Sequence, residues 1–276
     1  MNRRGQLPII LALILSGILI TSALLTYKVS VFPKRAEQSE WVHVILNAEE
    51  DFHRILQAAL ANFTQEYIAT GNMTGSQRKA EIKLETWKLA FTLGYSGLSL
   101  RLNLKSNGVD VSPESSYKVS LTYDGNATYK TVYVPGLSIA AGHFFNCSWN
   151  SSCGISAAYA SISLDIIKQG LYGWNSSSII FLTLNVTSII SNSSLNETRI
   201  EFTCSDEQGW VNRLNKENVT IHVNGSQVDL NRLEYTGMGG YIALIGQTLN
   251  PPYTMTITVR DGRGIAVRAS LEGGSG

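Results

Sequence analysis

Hydrophobic positions along the chain change their pattern twice, and each change marks a different kind of element. From Gly5 to Tyr27 the run is uncharged and almost wholly apolar, densest between Leu7 and Leu25. In helical form its 23 residues would rise about 34 Å, enough to cross a hydrocarbon layer of about 30 Å. Beyond Pro33, Ile45, Phe52, Leu56, Ala59, Phe63 and Tyr67 recur three, four or seven apart, which predicts an amphipathic helix starting near Ser39 and Glu40. Gly71-Asn72-Met73-Thr74-Gly75 interrupts it. A second helix is expected from about Gln77 to Gly94, with Ala80, Leu84, Trp87 and Phe91 on its apolar face. The two stripes can close on each other or on the sheet that follows.

From Leu98 the period becomes two. Leu98, Leu100, Leu102 and Leu104 alternate with polar residues, as a half-buried strand requires. Tyr117–Tyr123 and Thr128–Val134 flank Asp124-Gly125-Asn126-Ala127, a hairpin signal. Ala158, Ala160, Ile162, Leu164 and Ile166 form another alternating face. After Gly170-Leu171-Tyr172-Gly173-Trp174-Asn175 come short strands carrying Ile180 to Val186, Ile200 to Cys204, Val219 to Val223, Tyr241 to Ile245 and Met255 to Val259. Asn224-Gly225 and Asp261-Gly262-Arg263-Gly264 are their tight-turn signals. Residues 272–276 read as a flexible tail.

These patterns predict a membrane-anchored α+β chain: an N-terminal transmembrane helix, membrane-proximal helices, and a β-rich ectodomain ending in an immunoglobulin-like β-sandwich. The expected divisions are 1–38 (leader, anchor and linker), 39–97 (helical spacer), 98–174 (β-rich region with hairpins) and 175–276 (sandwich and tail). The lipid bilayer is then a partner, through a single pass with the N-terminus cytoplasmic and the rest extracellular. A cleavable secretory signal is the rival reading of the first segment, with Thr21-Ser22-Ala23 as its small residues.

Composition adds to this in two ways. Charged residues make up 16% of the chain and the formal net charge is +1, which gives no electrostatic basis for binding nucleic acid. Asn-x-Ser/Thr sequons stand at Asn62, Asn72, Asn126, Asn146, Asn150, Asn175, Asn185, Asn192, Asn196, Asn218 and Asn224. Sugars belong on exposed, exported surface, so the sequons favour an outside placement. Asn185, inside an alternating apolar run, is the poorest acceptor and is left out of the expected glycosylation set.

The junction Arg3-Arg4-Gly5-Gln6 before an apolar helix resembles the leader (class III signal) of archaeal pilin-type surface proteins. The resemblance covers about a tenth of the chain. It implies cleavage between Gly5 and Gln6, with Arg3 and Arg4 as the basic recognition pair, and a following helix that packs in a filament. Many members carry a Glu five residues after the cut; this chain has Ile10.

Cys147 and Cys153 bracket a short polar loop, and an oxidising exterior would allow them to form a disulfide. Cys204, in strand register with Ile200 and Phe202, is either a buried thiol or the partner of another cysteine. No catalytic constellation appears. His43, His53, His143 and His222 complete no zinc motif, and no nucleophile elbow or phosphate loop is present, so no metal or cofactor is expected. Phe144, Phe145, Trp149, Tyr172 and Trp174 are candidates for a binding surface that stacks on sugars; the alternative is packing between modules. The expected function is therefore non-enzymatic: structural display, adhesion or assembly at a cell surface or envelope. A minor pilin-like filament subunit and a ligand-binding receptor ectodomain are the alternatives. Expected partners are envelope or filament subunits and glycans.

Overall fold

A computed structural model describes residues 42–95, 98–103, 109–112, 118–123, 126–128, 145–166 and 171–274. The chain divides into two units, Met1–Asp51 and Phe52–Gly276. In the first, the described residues from 42 onward are helical. The second contains everything that follows.

Helix α1 spans residues 42–70. Within the second unit it buries Phe52, Leu56, Ala59, Leu60 and Phe63, a stripe at helical spacing. Gly71, at φ 67°, ends it by turning left-handed, and its N–H donates back to the Tyr67 carbonyl at 2.9 Å. Asn72 then caps α2 (Met73–Gly94), its Oδ1 accepting from the Gly75 N–H at 3.0 Å. The helix begins four residues before the expected Gln77 because this cap, rather than the first apolar residue, sets its start. α2 buries Ser76, Ala80, Leu84 and Phe91. Phe52 meets Trp87 with ring centroids 5.8 Å apart, so the two helices form a closed hairpin.

The main sheet has eight antiparallel strands. Its path runs β1 (Leu98–Asn103), β6 (Cys153–Ile166), β7 (Leu171–Asn192), β8 (Glu197–Asp206), β13 (Gly240–Ile245) and β12 (Leu230–Gly237). β5 (Phe145–Ser148) adds to β6, and β9 (Gly209–Trp210) adds to β8. A four-stranded sheet follows the order β11 (Ser226–Val228), β10 (Val219–Val223), β14 (Tyr253–Arg260), β15 (Ala266–Gly273). A third joins β2 (Val109–Ser112), β3 (Lys118–Tyr123) and β4 (Asn126–Thr128). Tyr123 pairs with Asn126 and Thr122 with Ala127, so Asn126 and Ala127, expected in the turn, are strand residues, while Asp124 and Gly125 lie outside the described residues.

One face of β6 and β7 explains how the layers meet. Gly154 and Ser156 approach β15: the Ser156 hydroxyl donates to the Ala266 carbonyl at 2.7 Å. Nearby, the Ser270 N–H reaches the Ser151 carbonyl at 2.9 Å. Farther along the same face, Ser178 pairs with Ala160 and its hydroxyl hydrogen-bonds His53 of α1 at 2.8 Å. Thr64 ties the helix to the smaller sheet, its hydroxyl accepting from the Ala266 N–H at 3.1 Å. The opposite face, with Ala157, Tyr159, Ile179 and Phe181, is buried too. Strands covered on both sides read as near-continuous apolar runs, as 157–160 does, although 161–166 still alternates.

Three expectations are corrected. Among the described residues no helix is long and apolar enough to cross a membrane. The transmembrane fold class and the single-pass membrane placement are accordingly set aside; residues 5–27, which prompted them, lie outside the described residues. The immunoglobulin-like module expected at 175–276 is not a self-contained sandwich. β7 begins at Leu171, runs through the expected boundary, and pairs with β6 on one side and β8 on the other. Finally, the segment read as a flexible tail is partly strand, since Glu272 and Gly273 pair with Thr254 and Tyr253.

Candidate functional site

The hairpin between β14 and β15 is built around one carboxylate. Asp261 accepts the backbone N–H groups of Arg263 at 2.9 Å and Ile265 at 3.0 Å through Oδ1, which fixes the loop. Its Oδ2 accepts from Arg263 Nε at 2.6 Å. Arg263 then reaches across to the β8–β9 turn, where Nη1 pairs with Glu207 and Nη2 lies 3.5 Å from Asp206. Nη2 also donates to the Phe181 carbonyl at 3.3 Å. Burial would lower the Arg263 pKa, but Glu207, Asp261 and Asp206 outweigh that and raise it. Three carboxylates around one guanidinium make a charged clasp between the two larger sheets.

Beside the clasp lies a groove of about 600 Å³. Trp210 forms one wall and is 58% exposed. A Cβ added at Gly239 would stand 2.7 Å from its indole Cε3, so the ring rests on a position where only glycine fits. The wall formed by Val211 to Leu214 is pinned by Tyr241, whose hydroxyl donates to the Val211 carbonyl at 2.9 Å and accepts from the Leu214 N–H at 3.2 Å. Gln57, Gln208 and Asn212 bring amide groups to the lining.

A second surface is the outer side of α2. Ile82, Leu89 and Leu93 are exposed there, while Ala80, Leu84 and Phe91 face inward. Arg78, Glu81, Glu85 and Lys88 flank the exposed stripe, and Lys88 pairs with Glu85 at 3.1 Å.

The aromatic candidates take packing positions. Phe145 is 1% exposed and stacks on Phe63 at 5.0 Å. Trp149 is 6% exposed, tilted against Tyr67 at 4.8 Å; its Nε1 donates to the Ser156 hydroxyl at 3.0 Å, and Arg268 lies over its ring at 5.5 Å. Trp174 is half-buried opposite Leu164. Phe144, and the side chain of Tyr172, lie outside the described residues, as do Arg3, Arg4, Gly5 and Gln6. Trp210 is the residue of this groove that the hydrophobic pattern does not mark. Its only signal is a lone indole after the polar turn Glu207-Gln208-Gly209, with no periodicity to mark it.

The expected Cys147–Cys153 disulfide is also corrected: the three cysteines are thiols. The β5–β6 register sets Cys147 opposite Ser156, whose hydroxyl accepts from its Sγ at 3.5 Å. Cys153 lies three residues farther along β6, on the opposite face and about 10 Å away along the strand. A disulfide needs Cα atoms within about 7 Å. Burial pushes the Cys147 thiol up to about 12 and raises Cys204 as well.

Of the sequon asparagines, Asn62, Asn72, Asn150, Asn175, Asn192, Asn196 and Asn224 are exposed, and Asn146, Asn185 and Asn218 are half-buried. Asn126 falls in β4. Several hold turns through Oδ1: Asn196 and Asn224 accept from the Thr248 and Thr254 N–H groups at 3.2 and 2.9 Å. Among the described residues no group of three or more His, Cys, Asp or Glu side chains is placed to hold a metal ion.

No family model matches this chain, and no curated protein matches it either.

Proposed function

We propose that the protein is a non-enzymatic assembly or adhesion subunit that associates through the outer face of α2. The observation that carries this reading is the exposed stripe Ile82–Leu89–Leu93, at 58%, 61% and 77% exposure, on a helix whose other face is already buried. Apolar side chains at helical spacing, with no covering element among the described residues, suit a neighbouring helix. The flanking groups point to a second copy as the neighbour. Arg78 and Lys88 balance Glu81 and Glu85, so two like surfaces can meet without net repulsion, whereas a strongly charged partner would gain nothing. The leader motif Arg3-Arg4-Gly5-Gln6 gives the assembly a specific form, a pilin-like subunit processed before Gln6. Expected partners are filament or envelope subunits.

The test is sedimentation velocity of the full chain across a concentration series, beside Ile82→Asp/Leu89→Asp. Both residues are exposed, so the variant keeps its circular dichroism and melting behaviour. Self-association in the parent and its loss in the variant support the reading. A parent that stays monomeric at every concentration, or a variant that assembles equally well, refutes it. Intact-mass measurement of native material tests the leader: a chain starting at Gln6 is expected, and one starting at Met1 or Asn2 counts against processing.

A further inference from the structure

We infer that the groove beside Trp210 is a binding site for a neutral carbohydrate chain. It shares no residue with the α2 stripe, and the inference stands apart from the assembly reading.

The first argument is the indole. A large aromatic side chain 58% exposed, in a lining that is polar apart from Val211, Leu214 and Gly262, is where a pyranose ring would gain most by stacking its C–H face. The ring is seated on Gly239 and belongs to β9, which pairs Ser205 with Trp210. The platform is therefore built by the fold rather than left to a loose side chain.

The second argument is the polar lining. Gln57 spends its amide nitrogen on His53 at 3.0 Å, which leaves Oε1 its acceptor capacity. Gln208 and Asn212 are exposed and offer both donors and acceptors. Planar amides of this kind match vicinal hydroxyls, which donate and accept at neighbouring positions. A groove of about 600 Å³ falls within the ordinary range for small-ligand sites and has room for two or three sugar rings.

The third argument is charge. The lining carries Asp206 and Asp261 against Arg213 and Arg263, and the Arg263 guanidinium is already engaged by Asp261, Glu207 and Asp206. An anionic sugar would meet Arg213, but also Asp206, Asp261 and the adjoining Glu207, three carboxylates against two guanidinium groups. A cationic ligand would have to share those carboxylates with Arg263, which already holds all three. Hydroxyl groups fit a lining that is polar but internally balanced.

Saturation-transfer NMR on the full-length chain tests this with neutral tetrasaccharides of glucose, mannose and N-acetylglucosamine, and with a tetralysine peptide as the cationic control. Ring protons of at least one tetrasaccharide should receive saturation from the parent. The signal should fall at least about fivefold in Trp210→Ala, a loss matching about 1 kcal/mol of stacking. Gln208→Ala/Asn212→Ala changes two exposed side chains and should weaken the same signal while the melting temperature stays unchanged. No transfer from any tetrasaccharide at about 10 mM, weaker than any useful affinity, overturns the inference. So does an undiminished signal in Trp210→Ala, or transfer to tetralysine alone.

Discussion

Gly154→Ala is the sharpest single perturbation of this fold. A Cβ at this position would lie 2.0 Å from the Arg268 carbonyl oxygen and 2.7 Å from its carbon, both backbone atoms. Ordinary contact begins at 3.4 Å, so β6 and β15 must separate by about 1.4 Å. Two hydrogen bonds cross that junction, Ser156 hydroxyl to Ala266 carbonyl and Ser270 N–H to Ser151 carbonyl. Losing both costs about 1 kcal/mol each, and the overpacking itself about 1–3 kcal/mol. Stiffening the unfolded chain returns at most about 1 kcal/mol. The expected net loss is thus about 2–5 kcal/mol, a large share of the stability of a typical domain. Guanidinium unfolding followed by tryptophan fluorescence measures it. Gly94→Ala, where an added Cβ meets nothing within 4 Å, serves as control and should be neutral or slightly stabilising. A Gly154→Ala midpoint indistinguishable from the parent, at the same slope, would show that the approach of β6 to β15 is not as tight as described.

Three further outcomes follow from the same geometry. Arg263→Gln leaves Asp206, Glu207 and the buried Asp261 without their cation, which should cost about 3–5 kcal/mol at neutral pH; thermal melts of the variant beside the parent measure the loss. Cys147 and Cys204 have folded pKa values above their ordinary 9.0, so the stability they contribute is complete below pH 9 and falls as pH rises toward 12; iodoacetamide mass spectrometry at pH 8 should label both slowly in native protein and fast in denaturant. Asn224, at φ 51°, combines a left-handed backbone with an acceptor for the Thr254 N–H; Asn224→Ala should cost about 2 kcal/mol and Asn224→Gly about half that, read from denaturation midpoints.

The sequence pattern made local structure legible where the period was strong. Alternation at Ile200, Phe202 and Cys204 marked β8, and Asn224-Gly225 and Asp261-Gly262 marked turns that the structure contains. What alternation cannot carry is register between distant strands. Cys147 and Cys153 were near in sequence, yet pairing with Ser156 sets them on opposite faces. Phe145 and Trp149 looked like loop aromatics because Phe63 and Tyr67, their partners, lie about eighty residues away on α1. Arg263 read as a turn residue, since Glu207 and Asp206 reach it only through the contact between sheets. Trp210 was invisible for a related reason: a two-residue strand has no period to read.

The length of β7 has a consequence for how this protein can be divided. Its 22 residues, Leu171–Asn192, form a spine of roughly 70 Å. Cutting the gene between Gly170 and Asn175 would put β6 and most of β7 on different fragments and divide the pairing that runs from Cys153–Asn185 to Ile166–Leu171. Neither half would be a portable cassette, and fusion or shuffling at that point should give insoluble fragments. Heat should likewise melt residues from both sides of residue 175 in one cooperative event.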